Sequence, residues 1–293
     1  MERADILVLG ASGKVGRLMR AHWGAPGLAT RWQGRRMGDA PGWVAWAPGQ
    51  PLPPARVVLV LAGVTSGPPE ALAENPRLGR AIARAAAAAD GVGTILLAST
   101  MALYGRTPPG DATEDTAPDR PNPYGRSKLE MEQAMAAELS GPGPQLCALR
   151  IGNVAGADLL GDRVAQGLPI ALDRFADGAG PVRSYAGPGL LARVVQALAR
   201  RALAGERLPA VLNVAGQHPL AMADLMQAAG LGFAWTTAGA AAVPRIAMNC
   251  ARLAALVPPV PQAETAAGVA AEWRAAAGAG TGAGTDAGAK AAP

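Results

Sequence analysis

The first half of the chain alternates short apolar runs with longer stretches of helix-forming residues, and this alternation restricts the fold more than any other feature. The runs DILVLG (5–10), LATRWQ (28–33), GWVAW (43–47), RVVLVLA (56–62), TILLAS (94–99) and LCALRI (146–151) read as strands. Strands separated by helical segments pair in parallel, because each crossover helix returns the chain to the same end of the sheet. The expected fold class is therefore α/β, a doubly wound parallel sheet. ENPRLGRAIARAAAAAD, with Asn75 as N-cap and Pro76 at the first helical position, predicts a helix over 75–89. GLLARVVQALARRALAG predicts a further helix and AVLNVAG a late strand.

The pattern changes after the sixth run. Residues 152–188 are rich in glycine and proline, and QHPLAMADLMQAAGL through MNCARLAALVPPV reads as small helices and loops. The sheet domain then takes residues 1–151 plus about 189–215, and a small interleaved C-terminal substrate lobe takes about 152–188 plus 216–274. Residues 275–293 have no apolar periodicity with which to offset their ordering entropy and are expected to form a disordered tail.

Composition excludes several classes. With 293 residues, half of them apolar, the chain can bury a large core, yet no stretch has the roughly 18 consecutive apolar residues of a membrane span. A strand pattern begins almost at the first residue, without a secretory leader, so a cytoplasmic location and no membrane partner are expected. Cys147 and Cys250 stand far apart without metal-ligand spacing and read as buried reduced thiols. The two histidines, His22 and His218, are too few for most His-based metal sites, and no metal is expected. The net charge of +5 comes from arginines spread along the chain and not interleaved with aromatics, which argues against a nucleic-acid partner.

LGASGKVG sets Gly10, Gly13 and Gly16 in a GxxGxxG frame that closes the first strand and opens a helix. Such glycines let the backbone turn tightly and approach a pyrophosphate, which free N–H groups at the helix start stabilise. Val15, Leu18, Met19 and His22 then form an apolar stripe with His22 as a boundary residue. At the end of the second strand, where dinucleotide folds meet the adenosine ribose, the chain offers Gln33, Gly34, Arg35 and Arg36, and the first carboxylate after that strand is Asp39. Arg35 and Arg36 suit a 2′-phosphate, so NADP is favoured over NAD.

Lys128 is one of three lysines in an arginine-rich chain, and it follows Tyr124 by one helical turn in PNPYGRSKLEMEQAM. An ammonium on the same helix face as a phenol would draw its pKa from about 10 toward neutrality, and its compact charge could serve a ribose hydroxyl as well. Ser99 and Thr100 end the fifth strand, where side chains meet the ligand crevice of a parallel sheet. Each feature alone has a plainer reading: helix-packing glycines, a surface tyrosine, a turn-capping hydroxyl.

In combination, GASGKVG, LAGVT, ASTMALYG, PNPYGRSKLEME and LRIGNVAGA resemble the extended short-chain dehydrogenase/reductase superfamily, specifically the NAD(P)-dependent epimerase/dehydratase family, over most of residues 4–274. The resemblance implies a Rossmann-like sheet and catalytic roles for Thr100, Tyr124 and Lys128. It places the cofactor on Gly10, Ser12, Gly13, Lys14, Val15 and Gly16, on Leu61, Ala62 and Gly63, and on Tyr124 and Lys128. The substrate falls on Ser99, Thr100, Asn153 and Arg183. Thr100, Met101 and Ala102 stand where the family's dehydratases have Thr-Asp-Glu, which disfavours dehydration. The implied function is an NAD(P)-dependent epimerase or reductase acting on a secondary alcohol or ketone of a sugar, sugar nucleotide or similar polyol. A non-catalytic dinucleotide sensor is the competing class, although such proteins usually lose the tyrosine or lysine. By the same resemblance, two alanine-rich helices, roughly 75–89 and 123–139, would pair with their mates as a four-helix bundle, so a homodimer is expected.

Overall fold

The computed structural model describes residues 2–24, 26–34, 41–105 and 110–281. Strands β1 (Ala4–Leu9), β2 (Thr30–Gln33), β3 (Trp43–Val44), β4 (Ala55–Val60), β5 (Thr94–Thr100) and β6 (Gln145–Ile151) form one parallel sheet with the Val211–Val214 strand. Its spatial order is Val211–Val214, β6, β5, β4, β1, β2, β3. The chain builds outward from β1 in both directions, so the order reverses between β1 and β4, and a crevice opens at their carboxyl ends. The expected doubly wound sheet is present, with shorter outer strands. β3 shrinks to Trp43–Val44 because it is an edge strand whose ladder contacts are Trp32 with Trp43 and Gln33 with Val44.

Helices α1 (Lys14–Ala21), α2 (Pro69–Leu72), α3 (Glu74–Ala87), α4 (Pro123–Glu138), α5 (Leu159–Ala165), α6 (Pro188–Leu203), α7 (Met222–Ala229), α8 (Ala251–Leu256) and α9 (Ala266–Thr281) cover the sheet or build the lobe. Strand side chains alternate between faces. Ile6, Val8, Leu59, Leu96 and Leu149 therefore pack with Met19 of α1 and with Leu191, Val194 and Leu198 of α6. Leu7, Leu9, Val58, Val60, Ile95 and Leu97 pack on the other face with Ile82 and Ala86 of α3 and Met131 and Met135 of α4. Each fully buried aliphatic side chain contributes roughly 1.5–3 kcal/mol, so both layers are firmly fixed to the sheet. A third core joins Ala155, Leu160, Leu172 and Tyr185 to Leu225, Met226, Val269 and Trp273.

Two local expectations are corrected. Asn75 is not an N-cap: α2 runs almost directly into α3, which begins at Glu74, and Asn75 is fully buried inside it. Residues 275–281, expected to be disordered, continue α9, because alanine propagates a helix well and Trp273 and Ala276 are buried. Residues 282–293 lie outside the described residues. Cys147 and Cys250 are free and buried, and burial pushes both thiols up to about 12. Among the described residues, no helix is long and apolar enough to cross a membrane.

Candidate active site

The glycine turn is fixed from two sides. Gly10 has φ 81°, and a Cβ there would sit 2.5 Å from the Ala62 backbone nitrogen, so only glycine passes beneath the segment after β4. Gln33 ends β2 by accepting from the Gly10 N–H through Oε1 at 2.9 Å and donating Nε2 to the Trp46 carbonyl at 2.9 Å. Its amide therefore pins the turn and is not free for a ribose. α1 starts from Gly13 with no side-chain cap and no acidic residue in its first turn. Its first N–H groups and positive dipole end are left to a ligand, the arrangement that suits a pyrophosphate. Lys14, at the first helical position, pairs with Asp162 of α5. Arg35 and Arg36 lie outside the described residues.

α4 carries the reactive pair. Pro123 occupies its first position, and Asn122 caps it by accepting from the Gly125 N–H at 2.7 Å. A Cβ on Gly125 would lie 2.3 Å from the Ala102 carbonyl oxygen, so the missing side chain lets α4 rest on the backbone that follows β5. That close approach sets Tyr124 beside Thr100 in the cleft, and Thr100 Oγ1 accepts from the Ala102 N–H at 3.2 Å. Burial raises the Tyr124 phenol, and Thr100 beside it opposes the rise. Lys128 is only 4% exposed, and burial lowers its ammonium to about 8 against the opposing charge of Glu132. Its Nζ contacts Met131 Sδ at 3.4 Å, a weak acceptor.

The expected depression of Tyr124 by Lys128 does not occur in this structure. Desolvation of the phenol outweighs any charge that reaches it, and the phenol stays above its ordinary value.

A cleft of about 480 Å³ gathers Lys14, Val15, Leu61, Gly63, Ser99, Thr100, Tyr124, Lys128 and Asn153 with Asp158, Leu159 and Asp162 at the start of α5. Residues more than a hundred positions apart in sequence thus line one cavity. Gly10, Ser12 and Gly13 of the turn after β1, Gly16 of α1 and Ala62 after β4 are not in its lining. Among the described residues, the buried Ser99 Oγ has no hydrogen-bond partner. Arg183 is not brought to the cleft, because its guanidinium donates to the carbonyls of Val182 (2.8 Å), Val243 (2.8 Å) and Pro244 (3.2 Å). A larger hollow of about 840 Å³, beside Arg3, Leu52 and Arg84, contains none of the candidate residues.

Asn75, read from the sequence as a helix cap, is instead a buried bridge beside the cleft. Its Oδ1 accepts from the Val64 N–H at 2.7 Å, and its Nδ2 donates to the Val64 carbonyl and to Ser127 Oγ, both at 2.9 Å. Ser127 Oγ in turn donates to the Tyr124 carbonyl at 2.8 Å. The segment after β4 is thereby tied to the helix bearing Tyr124 and Lys128. Sequence reasoning missed Asp158, which caps α5 by accepting from Gly161 N–H at 2.9 Å and from Tyr185 O–H at 3.1 Å, while burial raises its carboxyl.

Residues 54–193, a little under half of the chain, match the model of the NAD dependent epimerase/dehydratase family. A UDP-glucose 4-epimerase of Azospirillum brasilense is 40% identical over 82 residues, which are 28% of this chain and 23% of that protein. The chain thus spans less than a quarter of the curated relative it matches. The UDP-glucose 4-epimerase from Brucella ovis, solved with NAD, superposes with a TM-score of 0.74 at 18% identity, covering 90% of this chain and 95% of that one. MoeE5, solved with UDP-glucose and NAD, gives 0.72 at 20% identity, covering 94% and 99%. At these identities the likeness is one of fold, and that fold is the Rossmann-like doubly wound sheet. The resemblance to the NAD-dependent epimerase/dehydratase family, first carried by the glycine turn and the Tyr124 and Lys128 helix, holds in the family match as well.

Proposed function

We propose that the chain is a nicotinamide-dinucleotide-dependent epimerase or reductase acting on a secondary alcohol or ketone of a sugar or sugar nucleotide. The observation that carries this reading is the single cleft in which Thr100, Tyr124 and Lys128 meet beside an uncapped glycine turn. The residues fit the cofactor: α1 starts without a side-chain cap or an acidic residue in its own first turn, and Lys128 is a buried ammonium whose Nζ contacts only a thioether among the described residues. When bound, the nicotinamide would accept or supply the hydride. Lys128 would hold the ribose hydroxyls, and the backbone N–H groups that follow Gly13 the pyrophosphate, the Lys14 ammonium being paired with Asp162. Tyr124, protonated in the cofactor-free cleft, gives its proton to a substrate carbonyl oxygen as hydride arrives and recovers it in the reverse step, and Thr100 beside it orients that oxygen. Asn153 and Ser99 face the substrate end.

NADP is favoured over NAD because Gln33 offers no carboxylate to a 2′-hydroxyl and is already spent on Gly10 and Trp46, while Arg35 and Arg36 follow it in sequence. Titration with NADPH and NADH, repeated with Arg35→Ala and Arg36→Ala, tests this. Equal affinities in the wild type, or a preference untouched by both substitutions, would leave NAD as the cofactor.

The reaction is tested by incubating the enzyme with UDP-sugars and free sugars while following nicotinamide absorbance. Net change marks a reductase or dehydrogenase, and isomer interconversion without net change marks an epimerase. Binding of dinucleotide with neither outcome would mark a sensor. Thr100→Val should lower the rate by about two to four orders of magnitude. A homodimer through the outer faces of α3 and α4, where Arg80, Gln133 and Ala137 line a groove, accompanies the proposal, and a monomeric mass by light scattering would count against it.

A further inference from the structure

Behind the reactive face of α4 lies a buried ion pair that neither hydride nor proton transfer requires. Arg150 of β6 meets Glu132 of α4 through Nη2 to Oε2 at 3.0 Å and Nε to Oε1 at 3.4 Å, with each side chain 9% exposed. The same guanidinium donates through Nη1 to Tyr104 Oη at 3.1 Å and to the Glu114 carbonyl at 3.3 Å. Tyr104 O–H then donates to Asn213 Oδ1 at 2.7 Å, and Asn213 N–H donates to Glu114 Oε1 at 3.0 Å. One guanidinium is thus held in place from β6, from α4 and from the segment after β5.

Glu132 follows Lys128 by four residues, the spacing at which opposite charges on a helix find each other. The two are nonetheless not paired. Among the described residues no carboxylate oxygen lies within ion-pair distance of Lys128, whose Nζ contacts Met131 Sδ. The groups around that ammonium are few. α4 itself presents Tyr124 and Glu132, and β6 presents Arg150 with both guanidinium edges engaged. Tyr104 and Glu114, from the segment after β5, engage the Nη1 of Arg150, and α3 with the segment after β4 presents uncharged Asn75 and Gly63.

We propose that Arg150 is a positioning residue: by engaging both oxygens of the Glu132 carboxylate it withholds that carboxylate from Lys128, and so leaves the ammonium for the ligand in the cleft. This rests on the reading of Lys128 as the residue that holds the cofactor ribose. Without Arg150, Glu132 becomes a buried anion one turn from a buried cation, and pairing of the two is its cheapest relief. The ammonium would then be drawn along α4 and away from the cleft. A pair that only braced β6 against α4 would behave differently, since losing either partner would then do the same damage.

The test compares dissociation constants for NADH and NADPH, read by nucleotide fluorescence, with thermal midpoints for the wild type, Arg150→Met, Glu132→Gln and the double variant. Arg150→Met should weaken dinucleotide binding by about tenfold or more. Glu132→Gln strands the guanidinium and should lower the thermal midpoint comparably, yet leave binding within about twofold of wild type, because the competitor for Lys128 is gone. The double variant should regain most of the affinity lost in Arg150→Met. Binding by Arg150→Met as tight as wild type, or equal losses in the two single variants, would overturn the positioning role and leave the proposed function standing. Failure of the wild type to bind either dinucleotide would overturn both. Should Arg150→Met not yield folded protein, Arg150→Lys, which keeps a charge but loses the fork, carries the same comparison with an expected loss of about threefold.

Discussion

Asn75 Nδ2 donates to Ser127 Oγ at 2.9 Å, joining α3 to α4 immediately beneath Tyr124 and Lys128. The same side chain satisfies both backbone groups of Val64. Replacing Asn75 by alanine removes both part-buried bonds to Val64 and the buried bond to Ser127, so Asn75→Ala should lose about 2–3 kcal/mol of stability. The segment after β4 should also loosen, weakening dinucleotide binding. An unchanged urea midpoint would show that the bridge does not hold these elements together.

Lys128 predicts a stability effect with a definite sign. Its ammonium is lowered from an ordinary 10.5 to about 8 by burial, so the folded state binds the proton less tightly than the unfolded chain. The charged lysine therefore destabilises the cofactor-free protein below pH 8, by roughly 3 kcal/mol at most, and this cost fades as pH rises toward the ordinary value. Lys128→Met should be inactive yet melt higher than wild type at pH 7, with the advantage shrinking in alkaline buffer. A variant less stable than wild type throughout would show that the buried charge is compensated in a way the geometry does not contain.

Both thiols should be silent in the native state. Cys147 and Cys250 are at most 2% exposed, and burial keeps them protonated. A thiol reagent at neutral pH should titrate neither until denaturant is added, and stoichiometric native labelling would contradict the buried placement.

The sheet was legible because its strands are apolar on both faces and its crossovers are strong helix formers, so local preference and tertiary environment agree. Tyr124 and Lys128 were legible for a similar reason: four residues on one helix share a face whatever the rest of the chain does. Contacts made across the fold were not. Asn75 before Pro76 has the signature of a cap, and only the docking of α3 against α4 and the Val64 segment turns it into a buried bridge. Arg183 looked free for a ligand until the Val243 and Pro244 carbonyls closed on it. The 275–281 stretch is monotonous in sequence and becomes helical as an extension of a helix anchored by Trp273. The phenol of Tyr124 rises, and does not fall, because burial is a property of the assembled cleft.

The proton-shuttle role of Tyr124 is tested most directly by mixing enzyme and bound dinucleotide with a sugar nucleotide that the wild type turns over, and following nicotinamide absorbance for wild type and Tyr124→Phe side by side. The wild type should show net or transient conversion. Tyr124→Phe should bind the dinucleotide with nearly unchanged affinity and lose turnover by about two to four orders of magnitude, since only the proton shuttle is removed. Turnover by Tyr124→Phe close to that of wild type would contradict the assignment of the cleft chemistry to this residue.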